Sequence, residues 1–182
     1  MGKVGMFFGT DTGTTRLIGK KLAKLLGEDL VDKPININRV TLEDLLQYDV
    51  MILGTATYGE GDLPGVANNV KAGSWLEFMP QLRTADLSNK TVALYGLGNQ
   101  EKYGDRYANG MGKLYSIVKE LGASVIGGWS TEGYTFTASD AVVDGQFVGL
   151  AIDHKSQRLQ TDDRLHQWAQ MLRPQLQAAL GN

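Results

Sequence analysis

The chain has 182 residues, 42% of them apolar and 21% charged, which suits one globular domain with a sizeable core. Twenty acids against 18 bases give a formal charge of −2, so nothing favours a nucleic-acid partner. The absence of cysteine excludes disulfides and thiolate chemistry, and with no signal-peptide pattern and no apolar run long enough for a bilayer we expect no membrane and a cytoplasmic location. In chain order, apolar β-prone runs fall at residues 4–8, 35–40, 50–55, 91–96 and 124–127, with another at 147–152. Helical patterns lie between them at 13–26, 42–47, 68–82, 106–121 and 162–180. Thr41 is placed to cap the second helix and Thr161 the last, each with acids in the following turn. Strands nearly continuous in apolar residues predict a parallel sheet covered on both faces. Five alternating units predict a doubly wound α/β domain over the whole chain, 1–182. Residues 129–146 break the rhythm, and we expect a surface flap that splits the edge strand into 124–127 and 147–151.

In open α/β sheets ligands bind beyond the carboxyl ends of the strands, so the loops after the first, third and fourth runs should converge. The first reads Thr10, Asp11, Thr12, Gly13, Thr14, Thr15. A strand turning into a helix through hydroxyl-rich residues suits an anion. The first helical N–H groups have no intrahelical partner, the dipole is positive there, and hydroxyls add neutral donors. No lysine lies in this loop, so a phosphate would be held by dipoles; an ordinary turn with threonine caps is the competing account. The second loop carries Thr55, Ala56, Thr57, Tyr58 and Gly59, then Glu60 and Asp62, a mixture that makes no sense as core. The third carries Gly98, Asn99 and Tyr103, and its Gly-x-Gly is a weak nucleotide signal because Glu101 stands at the next glycine position. Two tyrosines on adjacent loops beside a phosphate-type turn fit a flat heterocycle, since aromatic stacking adds roughly 0.5–1.5 kcal/mol beyond burial.

These residues carry a resemblance. The segments Phe7-Phe8-Gly9-Thr10-Asp11-Thr12-Gly13-Thr14-Thr15, Gly98-Asn99-Gln100 with Tyr103, Trp129-Ser130-Thr131-Glu132-Gly133-Tyr134 and Phe147-Val148-Gly149-Leu150-Ala151-Ile152-Asp153 make the chain similar to the long-chain flavodoxins over essentially its whole length. The resemblance implies a flavodoxin-like five-stranded parallel sheet of order 2-1-3-4-5 that binds FMN non-covalently and shuttles single electrons between semiquinone and hydroquinone. It places the phosphate on Thr10 through Thr15 and the isoalloxazine between Tyr58 and Tyr103. Thr55 to Gly59, Gly98 and Asn99 would line the ring's polar edges, Arg106 would lie one turn on from Tyr103, and Asp153 would sit close to the cofactor side. Gly59-Glu60-Gly61-Asp62-Leu63-Pro64-Gly65, with Ser74-Trp75 and Glu77-Phe78, is most similar to flavodoxins that feed nitrogenase. The implied partners are a flavodoxin or ferredoxin reductase, or another low-potential donor, and an acceptor such as nitrogenase reductase, with the carrier itself a monomer and not a catalyst. In the family's shorter members an insertion like 129–146 is not needed for FMN binding.

Two further expectations come from the chemistry of the loops. Glycine tolerates backbone conformations closed to other residues, so the Gly59-Glu60 peptide should flip on one-electron reduction and let the Gly59 carbonyl accept from protonated N5. Glu60, Asp62 and the phosphate should disfavour the fully reduced anion and lower its potential. Three departures from the family pattern oppose this: Asn99 where an acid is common, Arg106 where a neutral residue is common, and His154-Lys155-Ser156-Gln157 in place of an acid-rich stretch. Lys155 itself reads as a solvated side chain, and His154 and His166, without ligand spacing, read as surface residues, so no metal site is expected. A flavodoxin-like quinone or nitro reductase is the alternative function, though no acid/base group is placed for one. A response-regulator domain is excluded, because the first strand ends in Phe8-Gly9 and the third in Thr55-Ala56 where that class needs acids.

Overall fold

The computed structural model describes residues 2–10 and 13–181. From the amino end run β1 (Gly5–Gly9), α1 (Thr14–Leu26), β2 (Ile35–Asn36), α2 (Leu42–Leu46), β3 (Val50–Thr55), α3 (Trp75–Leu82), β4 (Thr91–Leu97) and α4 (Asn109–Glu120). The second part comprises β5 (Ser124–Ile126), β6 (Trp129–Ser130), β7 (Val142–Val143), β8 (Gln146–Phe147), β9 (Leu150–Ile152) and α5 (Thr161–Ala179). The main sheet is parallel and ordered β2-β1-β3-β4-β5. Every residue of β1 and β3 is buried, and all of β4 after Thr91, because helices cover both faces; hence the unbroken apolar runs. Ile18 and Leu22 of α1 pack with Trp168 and Leu172 of α5 on one face. Trp75 and Phe78 of α3 pack with Leu114 and Val118 of α4 on the other. The indole N–H groups of Trp75 and Trp168 are satisfied by Gly54 O at 2.9 Å and Gly127 O at 2.8 Å.

The fifth strand is split. Strand β5 pairs with β4 at Thr91–Ala93, and β9 takes over the same edge at Tyr95–Leu97. Between these halves the chain is no loose flap: β6, β8 and β7 form their own antiparallel sheet, with Ala141 and Phe147 buried. Tyr107, Tyr134, Phe136 and Phe147 stack into one aromatic cluster, with ring centroids between 4.9 and 6.0 Å apart.

Several boundaries differ from the periodicity. The strand expected at 35–40 ends at Asn36, whose side chain accepts from Asn38 N and starts a 3₁₀ turn over Ile37–Arg39. The helix expected from 68 starts only at Trp75, after Asn69 (φ 69°) and Gly73 (φ 77°) have turned the chain left-handed. Glu77 then opens it, its carboxylate accepting from Ser74 N at 2.7 Å. Helix α4 starts at Asn109 because Ala108, at φ 52°, is not helical. Thr41 caps α2 as expected, in a capping box with Asp44. Thr161 does not cap α5: a 3₁₀ turn over Arg158–Gln160 leads into the helix, so Thr161 is already helical, and its hydroxyl meets His154 Nδ1 at 3.1 Å.

Candidate functional site

The loops after β1, β3, β4 and β9 enclose a cavity of about 420 Å³ beyond the carboxyl ends of the strands. Of the expected site residues, Thr14, Thr15, Ala56, Thr57, Tyr58, Gly59, Gly98, Asn99, Tyr103 and Arg106 line it. Leu97, Lys102, Ala108, His154 and Lys155 line it as well. Thr10, Thr55 and Asp153 are buried behind this wall. Gly13 stands at the start of α1, and Asp11 and Thr12 lie outside the described residues.

One end of the cavity is the start of α1. Gly13 is its N-cap in a left-handed conformation (φ 88°), and no described side chain caps the helix. Thr10 Oγ1 accepts from Gly13 N at 3.2 Å, so that threonine shapes the turn instead of capping the helix. Thr15 is fully buried, and among the described residues its hydroxyl has no partner. An unpartnered buried hydroxyl in the first turn, on the cavity wall, is what an anion's oxygen would satisfy. Below it, Tyr95 on β4 donates its hydroxyl to Thr15 O at 3.0 Å, and burial pushes that phenol well above its ordinary range. Gly19 and Gly54 leave room for this ring, since a Cβ at either would collide with it.

The other end is built from two tyrosine-bearing loops. Tyr58 and Asp62 bond each other's backbones at 2.8 and 2.7 Å, closing a hairpin whose turn holds Gly59 at φ 55° and Gly61 at φ 88°. The hairpin carries Glu60 out to solvent, 94% exposed, and turns Asp62 onto Lys113 of α4 at 3.2 Å. Neither carboxylate is among the described residues that line the cavity, although Glu60 comes within 3.9 Å of Arg106 on its wall. Tyr103 is 38% exposed. The Arg106 guanidinium lies 4.9 Å from the Tyr103 ring centroid and Lys102 Nζ lies 5.3 Å from it, a cation–π arrangement on the cavity wall. Arg106 also contacts Asp105 at 3.0 Å and Glu60 at 3.9 Å, yet its buried Nε has no partner among the described residues.

Asp153 binds these loops together. Its Oδ2 accepts from Gln100 N (2.9 Å), Gln100 Nε2 (2.9 Å) and Ser156 Oγ (2.5 Å), and its Oδ1 from Lys155 N (3.1 Å) and Ser156 N (2.8 Å). Desolvation pushes its pKa up, but the bonds from Ser156 and Gln100 together outweigh burial and hold the carboxyl below its ordinary range. The Ser156 hydroxyl also reaches Asn99 Oδ1 at 3.2 Å, which links the buried charge to a cavity residue. His154, expected on the surface, is instead half-buried on the cavity wall; desolvation, then Arg158 and Lys21, lower its pKa. Lys102, Arg106 and Lys155 line the cavity, and no carboxylate lines it among the described residues. Among the described residues no cluster of three or more His, Asp or Glu is placed to hold a metal, and no helix is long and apolar enough to cross a membrane.

The strand order reverses between β1 and β3, and the cavity opens at that point. Fold and site together define a doubly wound α/β domain with its cavity at the topological switch point. Residues 6–168 match the family model described as Flavodoxin. A flavodoxin of Klebsiella pneumoniae is 47% identical over 173 residues, covering 95% of this chain and 98% of that protein. Flavodoxin 1 of Escherichia coli is 37% identical, covering 97% and 96%. Among solved structures, Fusobacterium nucleatum flavodoxin bound to flavin mononucleotide superimposes with a TM-score of 0.85 at 30% identity, covering 96% of this chain and 99% of that one. The chain belongs to the flavodoxin family, whose members transfer electrons and are not catalysts by themselves.

Proposed function

We propose that the chain is a one-electron carrier that holds FMN non-covalently in this cavity. The observation that carries the reading is the match of the two ends: an unpartnered Thr15 hydroxyl at an uncapped helix start, and Tyr58 and Tyr103 on the opposing loops. Thr10, Asp11, Thr12, Gly13, Thr14 and Thr15, with the first-turn N–H groups of α1, would hold the phosphate. Tyr58 and Tyr103 would stack on the ring, with Ala56, Thr57, Gly98 and Asn99 along its edges. Thr55 and Asp153 would act from behind, by fixing the loops. When bound, the flavin supplies one-electron chemistry that no side chain of this chain offers. Gly59 sits in the left-handed region, where a peptide can turn its carbonyl inward and hold a proton carried by the ring. Lys102, Arg106 and Lys155 place positive charge on the cavity wall and favour added negative charge there, which makes the carrier a less extreme reductant than an acid-rimmed site would be.

The proposed role is that of a cytoplasmic monomer, reduced by a flavodoxin or ferredoxin reductase or another low-potential donor. The proposed acceptor is nitrogenase reductase, on the resemblance of 59–65, Ser74-Trp75 and Glu77-Phe78 to carriers of that kind. Anaerobic stepwise reduction of the purified protein, followed by absorbance, tests the carrier reading. A yellow protein that passes through a stable blue half-reduced stage supports it. A direct two-electron bleach favours an FMN-dependent quinone or nitro reductase, and a colourless preparation that FMN cannot reconstitute overturns the assignment. Electron delivery to purified nitrogenase reductase then tests the acceptor.

A further inference from the structure

The charges of this chain are sorted in space. Arg16, Lys20, Lys21 and Lys24 stand on α1, Lys155 and Arg158 stand between β9 and α5, and neither 14–26 nor 154–160 contains an acid. At about 100° of rotation per residue the four α1 cations fall within roughly 140° of one another, on the face opposite the buried Ile18 and Leu22. Leu17 lies inside that arc and is 43% exposed. The two segments are joined where Lys21 Nζ meets Asp162 Oδ1 at 2.9 Å and His154 Nδ1 meets the Thr161 hydroxyl at 3.1 Å. Leu17 is one turn before Lys21, and Leu159, wholly exposed, is three residues before Asp162, so that contact sets the two leucines on either side of one seam. The seam runs up to the end of the cavity that Thr14, Thr15, His154 and Lys155 line.

Among the described residues none of Arg16, Lys20, Lys24, Lys155 and Arg158 is in an ion pair. Of the neighbouring acids, Asp153 is buried under its five donors and Asp162 is paired with Lys21, which leaves Asp163 at the edge of the patch. In a chain of formal charge −2 this is a local field opposite in sign to the whole. We infer that the outer side of α1 and the 155–159 turn form the face on which a redox partner docks through a carboxylate-rich surface, with Leu17 and Leu159 as its apolar contacts. The far side of the cavity mouth carries exposed Glu60, Glu101 and Asp105 among its cations, so an acidic surface is turned toward α1 and away from the Tyr103 loop. A protein suits this face better than other polyanions do. It holds no Phe, Tyr or Trp on which a nucleic-acid base could stack. The apolar stripe of α1, Ile18, Leu22 and Leu26, is spent in the core and is not offered to a lipid surface. That the partner is a redox protein rests on the FMN reading above; the complementarity of charge does not.

The test uses the full chain and two probes that differ in charge alone: cytochrome c, which is basic, and cytochrome c succinylated on its lysines until its net charge is negative. Amide chemical-shift mapping on the flavin-free chain involves no cofactor. The succinylated probe should move signals of residues 16–24 and 155–160, and the native probe should leave them in place. Stopped-flow mixing of reduced, FMN-loaded protein with the ferric succinylated probe then reads one electron passing from the flavin to the haem iron. The rate should fall as salt rises, and Lys20→Glu and Arg158→Glu should each lower it about threefold at low salt. Leu159→Ser should lower it about fivefold at every salt concentration. None of these three residues lines the cavity, so FMN affinity and the unfolding midpoint stay as they are in each variant. Signals at 16–24 and 155–160 that ignore the succinylated probe, or follow the native one equally, overturn the inference. So do three variants that all transfer electrons at the unsubstituted rate. Movement of the same signals by an oligonucleotide or by vesicles of anionic phospholipid, and not by the succinylated probe, overturns it too. Mapped contacts in a chain that binds no FMN retain the docking face and remove the carrier reading instead.

Discussion

Replacing Asp153 with Asn changes one atom of a side chain that is 1% exposed and accepts five hydrogen bonds. An amide offers one acceptor oxygen and one NH2 group. Placed toward Lys155 N and Ser156 N, the NH2 loses two bonds and sets donor against donor; placed toward Gln100 and Ser156 Oγ, it opposes three donors. Bonds to a charged acceptor contribute roughly 1.5–3 kcal/mol each, and relaxation of the loops recovers part of the loss, so we expect about 3 kcal/mol. For a chain of this length that corresponds to a fall in Tm of roughly 6–12 °C. The assay is urea unfolding of flavin-free protein across pH. The folded carboxyl titrates below its ordinary value of 3.8, so the charged form contributes stability above that pH and loses it as pH falls through the folded pKa. The gap between native and Asp153→Asn protein is therefore full near neutrality and closes in acid. A gap under about 1 kcal/mol at neutral pH, or one that stays constant into acid, would refute the argument that five donors outweigh desolvation.

Arg106→Gln removes a cation from the cavity wall while keeping a polar side chain over Tyr103; potentiometric titration of FMN-loaded protein should show the second reduction step about 20–60 mV more negative. No shift, or a positive one, would place the guanidinium's field outside the ring site. Thr15→Val deletes the unpartnered buried hydroxyl at nearly constant shape, so flavin-free stability should stay within about 1 kcal/mol while FMN binds roughly fivefold more weakly. Riboflavin, which has no phosphate, should bind the variant and the native chain equally, and calorimetry with both ligands checks this. Gly59→Val asks a β-branched residue to adopt φ 55° and puts its Cβ 2.7 Å from Asn68 Oδ1, so denaturant titration should show a loss of about 2 kcal/mol. Flavin binding to that variant should weaken in step.

The parts of this molecule that were legible from residues alone are those where burial repeats a simple pattern. Strands β1, β3 and β4 are covered on both faces, so their unbroken apolar runs located the sheet and, through it, three of the four cavity loops. Elements of two residues, such as β6, β7 and β8, are too short to show a period, and the insertion therefore read as a flap. The late start of α3 had a signal in Ser74 and Glu77, whose three-residue spacing is that of a capping box. Thr161 misled because its type fits a cap, while the preceding 3₁₀ turn had already made it helical. In the site, His154 was misplaced because a lone histidine after a strand carries no sign of which way the strand's end points. Glu60 and Asp62 were expected to face the bound ring by proximity in sequence, whereas the hairpin closed by Tyr58 and Asp62 sends Glu60 to solvent beside Arg106 and Asp62 onto Lys113.

The split of the fifth strand also orders events during synthesis. The end of the cavity at the start of α1 has its support once β4 has left the ribosome and Tyr95 can reach Thr15 O. The ring end comes later: the Tyr103 loop waits for residues 135–140, and Asn99 waits for Asp153 and Ser156. Until β9 emerges, the stretch Tyr95–Leu97 has no neighbour on its outer side, although β5 already covers Thr91–Ala93. A nascent chain ending before residue 150 thus presents an unpaired parallel edge beside an unfinished pocket, the kind of surface that pairs with the wrong chain. Residues 150–156 close both at once, so the final segment before α5 ends the aggregation hazard in the same step that makes the pocket competent.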